Sequence, residues 1–231
     1  WRPLAEAAGC HTWLNQQSLW SNQGYASFDD YLASFNANQR RNIKRERKAV
    51  QAAGLSVTPL TGEAIGPHLL ERMHHFYAQH CARWGPWGSK YLTAEFFEHN
   101  ADELRPSLVL FSAHRGDPQD PVAMSLCVHS QEQLWGRYWG SDVEVENLHF
   151  EVCYYAPIAW AIANGVQRFD PGAGGSHTYP VISSTVEAGR RASSSSGSRA
   201  TTLSRRMNRR GLPSPRCWAG FSGHGRSGMR R

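Results

Sequence analysis

The chain has 231 residues, 40% of them hydrophobic and 19% charged, which suffices for one domain with a sizeable core, or for one domain and part of another. Its net charge of +6 is unevenly distributed: residues 181–231 hold 11 arginines and one acid, whereas residues 1–180 hold 14 basic and 18 acidic side chains. The part able to fold is therefore mildly acidic, which argues against a general polyanion-binding surface and against a DNA-binding protein.

The sequence shows no sign of secretion, membrane insertion or metal binding. No apolar run approaches the roughly 20 residues that cross a bilayer, and residues 1–20 lack a basic segment followed by an apolar one. The five cysteines are scattered without a C-x-x-C pair, as is typical of reduced thiols in the cytoplasm. We expect a cytoplasmic chain without a membrane span and, since it begins at Trp1, a piece of a longer protein.

A short helix and a longer basic helix are predicted near the start of the chain. Ser27 can cap the first, in FDDYLASF, and the second runs from about Asn38 to Ala53, with Gly54 at the position of a C′ glycine. The alternation in LSVTPL (55–60) then predicts a strand.

Two more helices and a β-meander follow. The segment PHLLERMHHFYAQHCARW has apolar residues at helical spacing, and Thr93 opens a helix in AEFFEHNADEL. Three β-like runs at 107–114, 121–129 and 133–140 are joined by short turn-rich segments, so they predict an antiparallel meander.

A last helix and strand complete the predicted domain. Residues 149–164 have helical spacing, but Pro157 should interrupt or kink this helix, because it lacks an N–H and clashes with the preceding turn. A strand at 166–170 and a glycine-rich loop follow. The order of elements predicts an α+β fold, and the Ser-, Arg- and Gly-rich residues 181–231 predict a disordered tail.

The basic helix carries an acid on its apolar side. Glu46 falls on one stripe with Ile43 and Val50, so it needs a partner, which we expect to be an arginine elsewhere in the fold. Arg41 and Arg45, with the other cations of the helix, could hold a phosphate-bearing donor. A solvated helix face is an equally good interpretation of these cations.

The segment HHFYAQHC contains three histidines and a cysteine, yet its spacing disfavours a metal. His75 and His80 are five residues apart, not the four that aim two ligands at one ion. Tyr77 and His80 are better explained as the lining of a cleft.

The stretch GRYWGSDVEVENLHFEVCYY (136–155) concentrates aromatic and ionisable residues. Strand alternation puts Trp135, Arg137 and Trp139 on one face. Tyr138 lies on the other face, between two glycines that would let a ligand or another backbone approach closely.

Four further side chains stand at or near the start of the next helix, where partial positive charge favours anions: His149, Glu151, Tyr154 and Tyr155. The alternative is an aromatic-rich core in which Arg137 pairs with Glu151. No dinucleotide fingerprint, P-loop, G-x-S-x-G or H-E-x-x-H motif occurs, which argues against those nucleotide sites and the common hydrolase classes.

Taken in order, these segments resemble a known family. The resemblance is to the FemAB-like branch of the acyl-CoA N-acyltransferase (GNAT) superfamily, and it runs from about Trp20 to Tyr179. The segments that carry it are FDDYLASF, RRNIKRERK, YLTAEFF, GRYWG…LHFEVCYY and FDPGAGGSH. The resemblance implies a GNAT-like mixed sheet flanked by helices, incomplete at both ends. The segments would be a remnant of a preceding GNAT-like lobe (1–25), a helical connection (26–54), a GNAT-like lobe (55–180) and a tail (181–231) that we expect to come from a shifted reading frame.

The resemblance also implies N-acyl transfer to a small-molecule or peptide-like amine, linked to cell-wall precursors. Acyl-CoA or aminoacyl-tRNA would be the donor, tRNA a possible partner, and no cofactor would be bound permanently. Glu151 or His149 would accept the proton, and Tyr138, Tyr154 or Tyr155 would donate hydrogen bonds near the reacting carbonyl.

Further residues would bind substrate or donor in this scheme. Arg137 could hold a carboxylate or phosphate bidentately, with Trp139 beside it on the strand. Asp170, Gly174 and His177 would border the donor loop. Three alternatives stay open: a non-catalytic GNAT-like binding module, an RNA-binding module that uses the basic helix, and an inactive fragment.

Overall fold

The computed structural model describes residues 18–172 apart from positions 84, 86, 87, 89 and 100, and at residues 99, 101 and 102 it describes the backbone alone. All described residues belong to the first of the two units into which the chain divides, Trp1–Ala188. The predictions for Gly174, His177 and the tail from residue 181 lie outside the described residues.

Helices and strands occupy most of the described chain. In chain order they are β1 (Trp20–Ser21), α1 (Phe28–Ala33), α2 (Ala37–Ala52), β2 (Ser56–Thr61), α3 (Pro67–Ala82), α4 (Ala94–His99), α5 (Ala101–Leu104), β3 (Leu108–His114), β4 (Pro121–His129), β5 (Gln133–Ser141), α6 (Leu148–Phe150), a π-helical segment (Glu151–Tyr155), α7 (Ala156–Ala163) and β6 (Arg168–Asp170).

The described strands form one mixed sheet in the order β1-β6-β5-β4-β3-β2. Neighbours are antiparallel except β5 and β6, which are parallel from Gln133↔Arg168 to Trp135↔Asp170. The meander β3-β4-β5 is as predicted, and the mixed sheet between helices confirms the α+β class. The edge strand β1 buries Trp20 completely against this sheet.

Helices cover both faces of the sheet, because its central strands are apolar on both sides. Along β3, Leu110 belongs to a buried cluster with side chains of α3 and α4, whereas Phe111 belongs to a second cluster with side chains of α1, α2 and α7. We call these sides the α3 face and the α7 face. Each has its own cluster of buried side chains, so ligand sites can form independently on either side.

Local signals explain where the first helices begin and end. The Ser27 hydroxyl accepts from the N–H of Asp30, which caps α1 as predicted. Asn36 and Gln39 form a capping box that starts α2 at Ala37, and Gly54 follows this helix with φ +74°.

A β-bulge at Arg137 changes the predicted faces of β5. Tyr138 pairs with Leu126 and Gly136 with Cys127, so Arg137 is the extra residue. Cross-strand partners share a face, and Trp139 therefore lies on the α7 face while Trp135 lies on the α3 face. The prediction that Trp135, Arg137 and Trp139 share one face is wrong, because simple alternation fails across a bulge.

The glycines of β5 admit other backbone segments. A Cβ at Gly140 would overlap the carbonyl of Phe76 in α3, and one at Gly136 would lie 2.9 Å from the carbonyl oxygen of Pro171. Of the two predicted alternatives, a ligand or another backbone, the described structure has the backbone at both positions. These approaches bring α3 and the end of β6 directly against β5.

Pro157 changes the hydrogen bonding of its helix, and the helical segments continue across it. The π-helical segment ends just before α7, in which Pro157 stands in the first turn. In this segment the N–H of Ala156 donates to the carbonyl of Glu151, five residues earlier. The Val152 carbonyl would accept from residue 157 in the same pattern, but Pro157 has no N–H. The Ser125 hydroxyl donates to the Val152 carbonyl instead, at 2.8 Å.

Candidate functional site

An open cleft lies where β5 ends and the chain turns into α6. Its volume is about 400 Å³, and it is lined by Arg83, Trp139, the loop Val143–Asn147 and His149, among others. We call this feature the cleft. Two of the predicted site residues, Trp139 and His149, therefore share one concave surface.

Hydrogen bonds hold the loop of the cleft. Asp142 pairs with Arg72 and lies 3.3 Å from the His75 ring, both on α3, while its N–H donates to the Val122 carbonyl. The Ser141 hydroxyl donates to the Val143 carbonyl at 2.7 Å. The loop is thus anchored to α3 and β4, which presents its remaining side chains to the cleft.

Trp139 stands between two histidine rings. Its indole centroid lies 4.6 Å from that of His149 and 5.8 Å from that of His80 on α3. Burial, with a smaller effect from the Arg83 guanidinium, lowers the pKa of His80. His80 is therefore neutral near pH 7 and keeps a ring nitrogen able to accept a hydrogen bond.

The cleft carries charges of both signs. Arg83 donates to the Ser141 carbonyl at 3.4 Å, and the exposed Glu144 and Glu146 make no ion pair with any described residue. Asn147 has φ +64°, a left-handed conformation that non-glycine residues seldom adopt and that recurs at ligand sites. Acids and a guanidinium in one opening suit a ligand with an ammonium and an anionic group.

A second set of predicted residues lies apart, between α2 and the π-helical segment. The Arg47 guanidinium binds the Glu151 carboxylate through two nitrogens, at 2.9 and 3.0 Å, and the Tyr155 hydroxyl donates to Glu46. Burial, then the Glu46 hydrogen bond, raises the pKa of Tyr155. We call Glu46, Arg47, Glu151 and Tyr155 the polar cluster.

The polar cluster corrects two predicted pairs. Glu46 does face inward, but the partner that the structure shows is a phenol rather than an arginine. Glu151 pairs with Arg47, not with Arg137. Glu151 is 7% exposed, and both of its carboxylate oxygens accept hydrogen bonds from Arg47, so this carboxylate is engaged within the fold.

Arg137 and Tyr138 line a separate, apolar cavity on the α3 face. The Tyr138 ring packs edge-on against Tyr77 at 4.8 Å, and burial raises the pKa of Tyr138. The buried Tyr77 hydroxyl accepts from the N–H groups of Tyr91 and Leu92. Tyr77 thus supports the cavity wall and does not line the cleft.

The remaining predicted residues are spread out. Tyr154 is buried beside the His149 ring, and the Asp170 carboxylate accepts from the Gly172 N–H at the end of β6. Arg41 and Arg45 are exposed on α2. Together with the cleft, the polar cluster and the cavity, these positions show that the described members of the set do not form a single site.

Sequence reasoning did not single out four residues that shape these sites. Arg47 lies four residues after Ile43 and three before Val50, so the stripe that indicated Glu46 also contained Arg47. Glu144 and Glu146 alternate with valines just after the strand, a usable signal for a polar rim. Nothing local marks Arg83 as a lining residue.

The described residues contain no group of three or more His, Cys, Asp or Glu side chains placed to hold a metal ion. His74 instead packs on Phe97, and His75 contacts Asp142. Within the same part of the chain, none of the helices combines the length and apolar character needed to cross a bilayer.

Comparison with known proteins identifies the family. A solved structure of a conserved protein of unknown function from Bacteroides thetaiotaomicron VPI-5482 is similar at 13% identity and a TM-score of 0.43, over 72% of this chain and 54% of that one. The chain therefore spans about half the length of that protein. No curated protein matches the sequence. The FemAB-like family model, described as peptidoglycan biosynthesis/recognition, matches residues 1–180, and the chain belongs to this family.

Proposed function

We propose that this protein has a GNAT-like fold and transfers an acyl or aminoacyl group to the amine of a small-molecule or peptide-like acceptor related to peptidoglycan precursors. Membership of the FemAB-like family supports the cell-wall connection. Acyl-CoA or aminoacyl-tRNA would be a substrate, and no permanently bound cofactor is required.

The observation that carries the proposal is the cleft at the end of β5, where Trp139 and His149 lie on one concave surface with Glu144 and Glu146. β5 pairs in parallel with β6 from Gln133 to Trp135 and then continues to Ser141 at the cleft. The side chains of the cleft would bind the acceptor, with the donor beside them.

His149 is the proposed proton acceptor. The acceptor's ammonium must lose a proton before its nitrogen attacks the acyl carbonyl carbon; a C–N bond then forms and the bond to the donor's sulfur or ribose oxygen breaks. The proton that the ammonium loses first goes to solvent, and His149 takes the second proton, which the nitrogen loses as the C–N bond forms, and can pass it to the leaving group. Contacts with Trp139 and Tyr154 orient the His149 ring, while Glu144 and Glu146 would attract the ammonium.

One test compares His149→Gln with His68→Gln, an exposed histidine in the first turn of α3. The full chain is incubated with acyl-CoA and aminoacyl-tRNA panels and amine peptides, and products are detected by mass spectrometry. We expect His149→Gln to lower kcat by about 10²-fold or more with a smaller change in KM, and His68→Gln to retain activity. Rates within about threefold of each other would exclude this role for His149.

Recognition without catalysis is the second candidate, and the pairing of Glu151 with Arg47 favours it, since one of the two predicted acceptors is already engaged. Saturable binding of an amine peptide with no product from any donor would support this function over transfer.

The exposed Arg41 and Arg45 bear on the choice of donor. If aminoacyl-tRNA is the donor, binding should weaken steeply with salt, and the double variant Arg41→Gln/Arg45→Gln should reduce that slope. Unchanged salt dependence in this variant would place the donor elsewhere.

A further inference from the structure

The apolar cavity on the α3 face is separate from the cleft and shares no lining residue with it. Its volume is about 220 Å³, and its walls come from α3, α4, α5 and the strands β3 to β5, including Leu70, Phe97, Leu104 and Val128. An engineered cavity of about 150 Å³ with similar walls stays dry and binds benzene. This cavity can therefore hold an apolar group somewhat larger than one benzene ring.

Arg137 brings a positive charge to the cavity. The β-bulge makes it the unpaired residue of β5, and its side chain is exposed while still lining the cavity. Among the described residues no carboxylate lies within ion-pair distance of the Arg137 guanidinium. The guanidinium donates a hydrogen bond at 3.3 Å to the carbonyl of the neighbouring Gly136. The guanidinium fork is thus available to an anion, which it binds best in planar, bidentate geometry.

Tyr138 adds a second polar group to the same wall. Its ring is half-buried against Tyr77, and its hydroxyl makes no hydrogen bond with any described residue. Burial raises the pKa of Tyr138, so the phenol stays protonated and can donate to an anionic oxygen. One cation and one neutral donor beside an apolar chamber match a ligand with a single negative charge.

We propose that this cavity is a binding site for a small monocarboxylate with an apolar body, an aryl or branched alkyl group. The body occupies the chamber between α3, α4 and the sheet, and the carboxylate binds the Arg137 guanidinium at the mouth. The proposal goes beyond acyl transfer and does not depend on it, since it concerns a binding equilibrium alone.

The test is calorimetric titration of the full chain with 3-phenylpropanoate, and with 3-phenylpropan-1-ol as the neutral analogue of the same shape. We expect the carboxylate to bind about tenfold tighter than the alcohol. Arg137→Gln should weaken carboxylate binding about tenfold and leave the alcohol unchanged, whereas Arg168→Gln, an exposed arginine on β6, should change neither.

A second variant locates the ligand. Val128→Phe adds volume to the cavity wall on a strand position that accepts aromatics, and it should abolish binding of both probes while thermal unfolding stays cooperative. Three results would overturn the proposal: no saturable binding of the carboxylate up to about 10 mM, equal affinity for carboxylate and alcohol, or full binding by the folded Val128→Phe variant.

Discussion

The polar cluster and the cleft are formed partly by the same stretch of chain, but the carboxylates of the cluster have partners within the fold and the acids of the cleft are exposed. In the polar cluster, Glu151 is bound by Arg47 and Glu46 accepts from Tyr155, under nearly complete burial of Glu151. In the cleft, a few residues earlier, Glu144 is exposed and forms no ion pair with a described residue. Buried ionised groups must be paired, whereas exposed ones remain available to a ligand. Ionisable side chains close in sequence therefore divide into those that stabilise the fold and those that can bind.

The largest expected effect comes from Glu151→Ala, which leaves Arg47 without its carboxylate. Removing one partner of a buried pair is strongly destabilising, and because the Arg47 side chain is 30% exposed we expect a loss of about 2 kcal/mol in the free energy of unfolding. Glu144→Ala, the matched change in the cleft, should cost less than about 0.5 kcal/mol. Urea denaturation measures both, and similar losses would refute the comparison.

A double variant distinguishes the cost of leaving Arg47 without its partner from the loss of packing at Glu151. Arg47→Met/Glu151→Leu replaces both charges by apolar groups, so it should be more stable than Glu151→Leu alone. A double variant that is less stable than the single one would show that Arg47 stabilises the fold independently of Glu151, for instance through its contact with the Phe28 ring at 4.4 Å.

Tyr155→Phe tests the second pair of the polar cluster. It removes the donor to the half-buried Glu46 carboxylate, and a hydrogen bond to a charged group is worth about 1.5 kcal/mol. We expect a loss of about 1 kcal/mol in the free energy of unfolding, measured by urea denaturation. Tyr91→Phe is the control, because Tyr91 is 78% exposed. Equal stability of the two variants would mean that Glu46 is satisfied without Tyr155.

The lowered pKa of His80, whose ring packs on Trp139 of the cleft, should make the free energy of unfolding depend on pH. Its pKa in the folded chain is below the ordinary value of about 6.5, so below that pH the unfolded chain binds a proton that the folded chain does not. The contribution of the neutral His80 to the free energy of unfolding is therefore complete above about pH 6.5. It is lost as the pH falls from the pKa of His80 in the unfolded chain to its pKa in the folded chain. His80→Gln should therefore show a shallower fall in unfolding free energy between about pH 7 and pH 5, and an unchanged slope would contradict this.

The smallest effect on stability is expected for the acids of the cleft. The double variant Glu144→Gln/Glu146→Gln should unfold within about 0.5 kcal/mol of the original chain, since both side chains are exposed. If the cleft binds an ammonium, the same variant should raise KM for the amine acceptor by about two- to tenfold. A stability loss comparable to that of Glu151→Ala would show that these acids belong to the fold and not to the site.

Much of the fold could be predicted because it depends on local chemistry. Ser27 caps α1 and Gly54 follows α2, since each meets a backbone requirement of its own helix end. The bulge at Arg137 could not be predicted, because it depends on how β5 aligns with Leu126 and Cys127 of β4. That one alignment redistributed the aromatic residues between the two faces of the sheet.

The sequence by itself determined most of the helices and strands, the α+β class, the family resemblance and the inward position of Glu46. Each follows from periodicity or motif order along a continuous piece of chain. Only the tertiary structure decided which groups pair: Glu46 meets Tyr155, and Glu151 meets Arg47, across more than a hundred residues of chain. Burial and distance between such remote segments, which no local pattern encodes, separate the polar cluster from the cleft.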